Sequence, residues 1–283
     1  IMDFTCCPAF EFVNEREVEE LHAKAVQLKH KKTGAEVLWM NNGEMNKTFS
    51  IAFKTLPDDD TGVFHILEHS VLNGSKKYPV KEPFVELLKG SMQTFLNAMT
   101  FPDKTVYPVS SKNNKDFLNL MDVYMDAVFH TNIDTKKEKF LQEGWHHELA
   151  DAESDLLING VVYNEMKGAY SSVDTPLRRT INKLLFPDTV YRYESGGHPD
   201  HIPELTYEKF LSMYRRYYHP SNARIYLDGD IDCESVFERM DSFLREFDYL
   251  DVQADIAWQK PCEKSTVCDV YPVTEEDTAN KTQ

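Results

Sequence analysis

The densest chemistry in this 283-residue chain lies in Phe64-His65-Ile66-Leu67-Glu68-His69. On a helix, residues four apart stack one turn above each other, so His65 and His69 present two imidazoles to the same point and can grip one metal ion. Glu68, three residues after His65, lies on the same face, within reach of a water held by that ion. The order H-x-x-E-H inverts the more familiar H-E-x-x-H arrangement of zinc peptidases. If this segment binds zinc, peptide hydrolysis is the chemistry to expect.

Two histidines do not complete a catalytic zinc site, which usually takes three protein ligands and keeps a fourth position for water. The residues alone leave the third ligand open. Glu165, in the run 161–168, is one candidate, and Glu143, His146, His147 and Glu148 are others. His146 and His147 read better as ordinary residues near a strand entry than as ligands.

The elements that must position these groups can be read from the hydrophobic pattern. Residues 18–30 enter a strand, 36–40 form another, and 47–54 alternate Phe49, Ile51 and Phe53 on one face. The first fifty-odd residues therefore predict an antiparallel meander. Asp60 or Thr61 can cap the helix that carries the histidines, with Asn73-Gly74 as its stop. A short helix is expected from Pro83 to Gly90, and 94–100 and 104–110 look extended. Residues 114–129 read as a buried helix, apolar nearly all round, with Tyr107, Phe117, Tyr124 and Phe129 as core. Helices are expected over 135–142, from Val161 to Tyr170, from Pro176 to Leu185, over 206–217 with Thr206 as cap, and over 233–247. Short strands are expected at 156–158 and 223–227, and Gly196-Gly197 reads as a turn. After Tyr249 the chain turns polar, with one possible strand at 267–273.

Composition narrows the function classes. The formal net charge of −16 argues against nucleic acid as a partner. It suits a basic substrate, though acidity can also serve solubility alone. No apolar run approaches a bilayer span. Asp3, Glu11, Glu15 and Glu17 stand where a targeting segment would be basic or acid-poor. That favours a bacterial-type cytoplasm, or the mitochondrial matrix or another organelle after removal of a transit peptide. Five cysteines without a C-x-x-C spacing suggest free thiols in a reducing compartment.

The chain resembles the M16 metallopeptidases, and within them the presequence-protease branch, over nearly everything from Leu21 to Phe247. The resemblance rests on several blocks in order: residues 61–72 around the H-x-x-E-H, then 77–84, 95–100, 142–145, 161–170, 195–197 and 218–222. It implies an α+β unit, a mostly antiparallel mixed sheet packed against helices, with residues 1–250 as the N-terminal zinc-binding catalytic domain. Residues 251–283 would then be a linker and the start of a second such domain.

The resemblance further implies His65, His69 and Glu165 as the metal ligands, Glu165 lying 96 positions after His69, with Glu68 as base and one Zn²⁺ per chain. It places Asn97, Ala98 and Met99 on an extended strand beside the metal, where a substrate adds as a further strand through main-chain hydrogen bonds. The implied partners are unstructured peptides and the remaining C-terminal domains of a longer clamshell enzyme. An isolated fragment would bind zinc, show little activity and could self-associate through a face meant for its sister unit. A non-catalytic subunit of the same fold is the competing reading. Such subunits usually lose a ligand or the base, whereas His65, Glu68, His69 and Glu165 are all present here.

Overall fold

The computed structural model describes residues 4–79, 89–262, 266–268 and 270–271. Its frame is one mixed sheet. Strands β1 (Phe10–Val18), β2 (Ala23–His30), β3 (Glu36–Asn41), β4 (Lys47–Lys54), β5 (Gln93–Leu96), β7 (Lys104–Ser111) and β10 (Ala223–Asp228) run in the order β1-β2-β3-β10-β4-β7-β5, and the two-residue β6 (Met99–Thr100) also pairs with β7. Strand β4 shows why this sheet forms: its positions alternate between buried and half-buried, as a strand with one covered face must. The register carries the pattern across the sheet. Leu28, Val37, Ile225, Ile51 and Tyr107 lie directly opposite one another on successive strands, and all five are buried.

The expected meander holds for β2 and β3, which pair antiparallel, and β1, which no expectation covered, adds antiparallel to β2. The meander fails at β4. Strand β10, from nearly two hundred residues later, inserts between β3 and β4, parallel to the first and antiparallel to the second. Ala223, Ile225 and Leu227 supply the buried alternation that completes the row. Such a long-range pairing leaves no trace in local spacing.

Helix α2 (Asn114–Phe129) packs on β4 and β7 and touches α7 (Cys233–Leu244). Its N-cap is Asn113, whose side chain accepts from Asp116 N. Tyr107, Phe117, Tyr124 and Phe129 are all buried in the core. Helix α1 (Val63–Val71) lies against α3 (Lys137–Glu143), α6 (Tyr207–Tyr217) and β6. Thr206 caps α6 by accepting from Lys209 N. A small hairpin of β8 (His146–Glu148) and β9 (Leu157–Asn159) leads into α4 (Val161–Ala169), followed by α5 (Asp174–Leu185). Leu177, Ile181 and Leu185 of α5 remain exposed, and no residue of that helix is buried.

Several expectations change. The helix expected from Pro83 falls largely on 80–88, outside the described residues. In the expected strand at 267–273, residues 269, 272 and 273 lie outside them too, and the described ones are not in a strand. Neither Asp60 nor Thr61 caps α1. The N-cap is Gly62, at a φ of 67°, while Asp60 accepts from Glu194 and Arg179 and the Thr61 hydroxyl donates to Asp59. The cysteines are not all free: Cys6 is bonded to Cys233, 227 residues away, because the N-terminal segment folds back over α7, where Phe4 and Phe10 both meet the Phe237 ring. Cys7, Cys262 and Cys268 remain free. Among the described residues no helix is long and apolar enough to cross a membrane.

Phe237 is fully buried and is shared by Phe4, Phe10 and Trp39. Phe237→Ala should therefore cost about 3–5 kcal/mol, read as a lowered urea midpoint with an unchanged slope. A loss below about 1 kcal/mol would show that the segment over α7 packs loosely.

Candidate metal centre

Two close backbone crossings bring the site together. At the first, Gly62 meets the loop after α5: a Cβ on Gly62 would lie 2.6 Å from Gly197 Cα and 2.7 Å from Gly196 O. Only glycine permits that approach, and it delivers the Gly196 carbonyl to His65. At the second, the Gly144 carbonyl occupies the place where a Cβ of Gly160 would stand. That contact ties the end of α3 to the start of α4, and so brings Glu143 and Glu165 to the same side of α1.

Asp60 fastens the first crossing. Its Oδ1 accepts from Glu194 N at 2.8 Å, its Oδ2 accepts from Arg179 Nη2 at 2.7 Å, and its backbone carbonyl accepts from His198 N at 2.8 Å. Asp59 meanwhile accepts from the backbone and hydroxyl of Thr61.

His65 and His69 stand edge to face, with ring centroids 5.0 Å apart. His65 Nδ1 donates to Gly196 O at 2.9 Å, and His69 Nδ1 donates to Glu143 Oε2 at 3.3 Å. A carbonyl and a carboxylate only accept, so the ring proton sits on Nδ1 in each case and the Nε2 lone pair is left bare. Both bare nitrogens face Glu165, whose Oε2 lies 3.6 Å from His65 Nε2 and 3.8 Å from His69 Nε2. One ligand atom from each of the three residues falls within 4.8 Å of the other two. Two imidazole nitrogens and one carboxylate oxygen form a donor set that suits a divalent cation such as zinc, and their orienting partners follow the usual pattern around metal-bound histidines.

Glu68 is 7% exposed and sits beside this group. Thr100 donates to its Oε2 at 2.5 Å. Burial pushes the Glu68 carboxyl up, and the Thr100 hydroxyl and the two imidazoles only partly oppose it. On His69, burial works against the charged ring, but the hydrogen bond it donates to Glu143 and the charges of Glu68, Glu143 and Glu165 outweigh it and raise the pKa.

A cavity of about 820 Å³ opens over the group. Asn97, Ala98 and Met99 line it, as do Thr100, Phe101 and Val161. The expected single strand at 94–100 is broken into β5 and β6 by Asn97-Ala98. Asn97 Oδ1 accepts from Ala98 N, and Asn97 O accepts from Tyr124 OH. The Asn97 amide oxygen thus shapes its own turn in this structure.

The remaining candidate ligands take other places. His146 and His147 open β8, and Glu148 accepts from Asn159. Glu143 is buried behind His69 rather than among the three donors. The roles of Thr100, Asp60 and the Gly196 carbonyl escape sequence reasoning. A glycine pair and a threonine carry no signature of what they will hold, although Gly196-Gly197 reads as a turn in the sequence.

Burial alone would raise the Asp60 carboxyl, but the Glu194 N–H and the Arg179 guanidinium hold it below its ordinary 3.8. The stability it contributes is therefore present above that value and lost as pH falls through the lower folded value. The gap in melting temperature between the native chain and Asp60→Asn should be widest near neutral pH and close under acid conditions. A gap that widens on acidification would contradict the assignment.

The comparisons with known proteins follow the same residues. Residues 56–170, which contain all four of His65, Glu68, His69 and Glu165, match the family described as Insulinase (Peptidase family M16). The chain is similar to a protein named HypA from Clostridium perfringens, 52% identical over 255 residues, covering 90% of this chain and 26% of that protein. It is 56% identical over 223 residues to presequence protease 1, chloroplastic/mitochondrial, of Arabidopsis thaliana, covering 79% of this chain and 21% of that protein. The chain thus spans roughly a quarter of the length of these relatives. Its fold matches the crystal structure of pitrilysin with a TM-score of 0.69 at 15% identity, over 90% of this chain and 26% of that one.

Proposed function

The chain belongs to the M16 peptidase family, and on that premise we propose that it is the metal-bearing N-terminal part of a longer zinc metalloendopeptidase acting on short, unstructured peptides of the presequence or oligopeptide type. The observation that carries this reading is the convergence of His65 Nε2, His69 Nε2 and the Glu165 carboxylate, with Glu68 beside them. These three residues would hold one Zn²⁺. When bound, the zinc supplies a Lewis acid that polarises the scissile carbonyl and lowers the pKa of the attacking water towards neutrality.

The protein's own groups do the rest. Thr100 engages Oε2 of Glu68, so Oε1 is the oxygen assigned to take the proton of the attacking water and return it to the leaving amine. Strand β5 ends the sheet order, so its outer edge offers main-chain groups to an extended peptide. In this reading Asn97, Ala98 and Met99 sit along that peptide, and recognition through backbone groups favours broad sequence tolerance. The net charge of −16 favours basic peptides.

The relatives' remaining three-quarters would complete the clamshell, with the apolar flank of α5 as one surface available to further domains. The relatives' names span bacterial proteins and organellar presequence proteases. The reading therefore keeps the bacterial cytoplasm and, as its alternative, an organelle.

The test separates metal from base. Glu165→Ala in this chain should lose bound zinc, measured as metal per mole of purified protein. Glu68→Gln in the longer enzyme should keep its zinc and lose peptide cleavage by about 10²-fold or more. Full zinc in Glu165→Ala, or undiminished cleavage by Glu68→Gln, would overturn the reading.

A further inference from the structure

Glu143 is the last residue of α3 and is 5% exposed. Both of its carboxylate oxygens are engaged. Oε2 accepts from His69 Nδ1 at 3.3 Å, while Oε1 accepts from Asn73 Nδ2 at 2.5 Å and from Gln142 Nε2 at 3.0 Å. Asn73 stands just beyond the end of α1, and α3 is seated by the buried Phe140 and by Ile66 against Gly144. The carboxylate is thus held from two sides and can offer His69 nothing but an acceptor. His65 differs in this respect: its Nδ1 is held by a backbone carbonyl, which no substitution can change in kind.

We propose that Glu143 is a positioning residue that decides which nitrogen of His69 is bare, and through that choice sets the affinity of the centre for its metal. The inference rests on the reading of His65, His69 and Glu165 as metal ligands. Its particular content is a ranking of substitutions. In Glu143→Gln, the NH₂ groups of Asn73 and Gln142 both already point at the place of Oε1, so the new amide oxygen is favoured there and its own NH₂ group turns towards His69. Nδ1 must then accept, and the ring proton moves to Nε2, the nitrogen that has to be bare to bind a cation. In Glu143→Ala a water can fill the gap and accept from Nδ1, so the native tautomer survives in part. The near-isosteric Gln variant should therefore be worse than the truncated one, a ranking that a purely packing role would reverse.

Two readouts on this chain test it. In the metal-free protein, at alkaline pH where the ring is neutral, nitrogen-15 histidine spectra should show His69 protonated on Nδ1 in the native chain and on Nε2 in Glu143→Gln. Zinc affinity, measured by competition with a chromogenic chelator, should fall by about 10–100-fold in Glu143→Gln and by less in Glu143→Ala. An unchanged tautomer with native affinity in Glu143→Gln, or weaker binding by Ala than by Gln, would overturn the proposal. Should Glu143→Gln fail to fold by circular dichroism, Asn73→Ala keeps the carboxylate but removes one of its anchors. That variant should bind zinc less tightly than the native chain, and native affinity there would count against the proposal. A native chain that takes up no zinc would instead refute the functional reading, while the tautomer measurement, which needs no metal, would still decide what Glu143 does to His69.

Discussion

The centre depends on two places where backbone passes against backbone with no room for a side chain. Gly62 against Gly196-Gly197 presses a loop carbonyl onto His65, and Gly144 against Gly160 brings the ends of two helices together so that Glu143 and Glu165 reach opposite edges of His69. Residues 62, 144, 160 and 196 are far apart in sequence, and the contacts they make are fixed by sterics alone. The imidazoles, by contrast, come from a single helical turn and need no such assembly. The site thus combines a local pair with two parts imported by glycine contacts, while α3, α6 and β6 pack against the helix that carries the pair.

The electrostatics follow from this packing. Three carboxylates, Glu68, Glu143 and Glu165, surround two rings in a partly buried pocket. Each carboxylate has a different environment, and that separates their roles. Glu165 is about half exposed and points at both Nε2 atoms. Glu143 is saturated with donors and fixes an orientation. Glu68 is buried with the Thr100 hydroxyl donating to it, and its carboxyl is displaced upward by burial. Groups of one chemical type are thus set apart by surroundings, and under the proposed function this lets one site offer both a cation-binding face and a proton carrier.

Local regularities were legible in the sequence. The bounds of β4 and α2, the cap at Thr206 and the helical presentation of His65 and His69 all follow from alternation, periodicity and capping chemistry within a few residues. What sequence reasoning missed was set by contacts between distant segments. The insertion of β10 beside β4 satisfies a hydrophobic row that neither strand reveals alone. The use of Asp60 by Glu194 and Arg179, rather than as a helix cap, depends on the loop after α5. The Cys6–Cys233 bond depends on the N-terminal segment lying across α7. Glu165 stood open among several acidic and imidazole candidates until family resemblance singled it out, and the structure brings its carboxylate to within 3.8 Å of both rings.

The central claim is that one cation is held by two imidazoles of one helical turn and a carboxylate from α4. Zinc K-edge absorption of the metal-loaded chain tests this most directly. The account predicts a shell of nitrogen and oxygen donors only, at about 2.0–2.2 Å, with outer-shell scattering from two imidazole rings. A sulfur donor at about 2.3 Å, or a pattern that fits one imidazole or none, would contradict it.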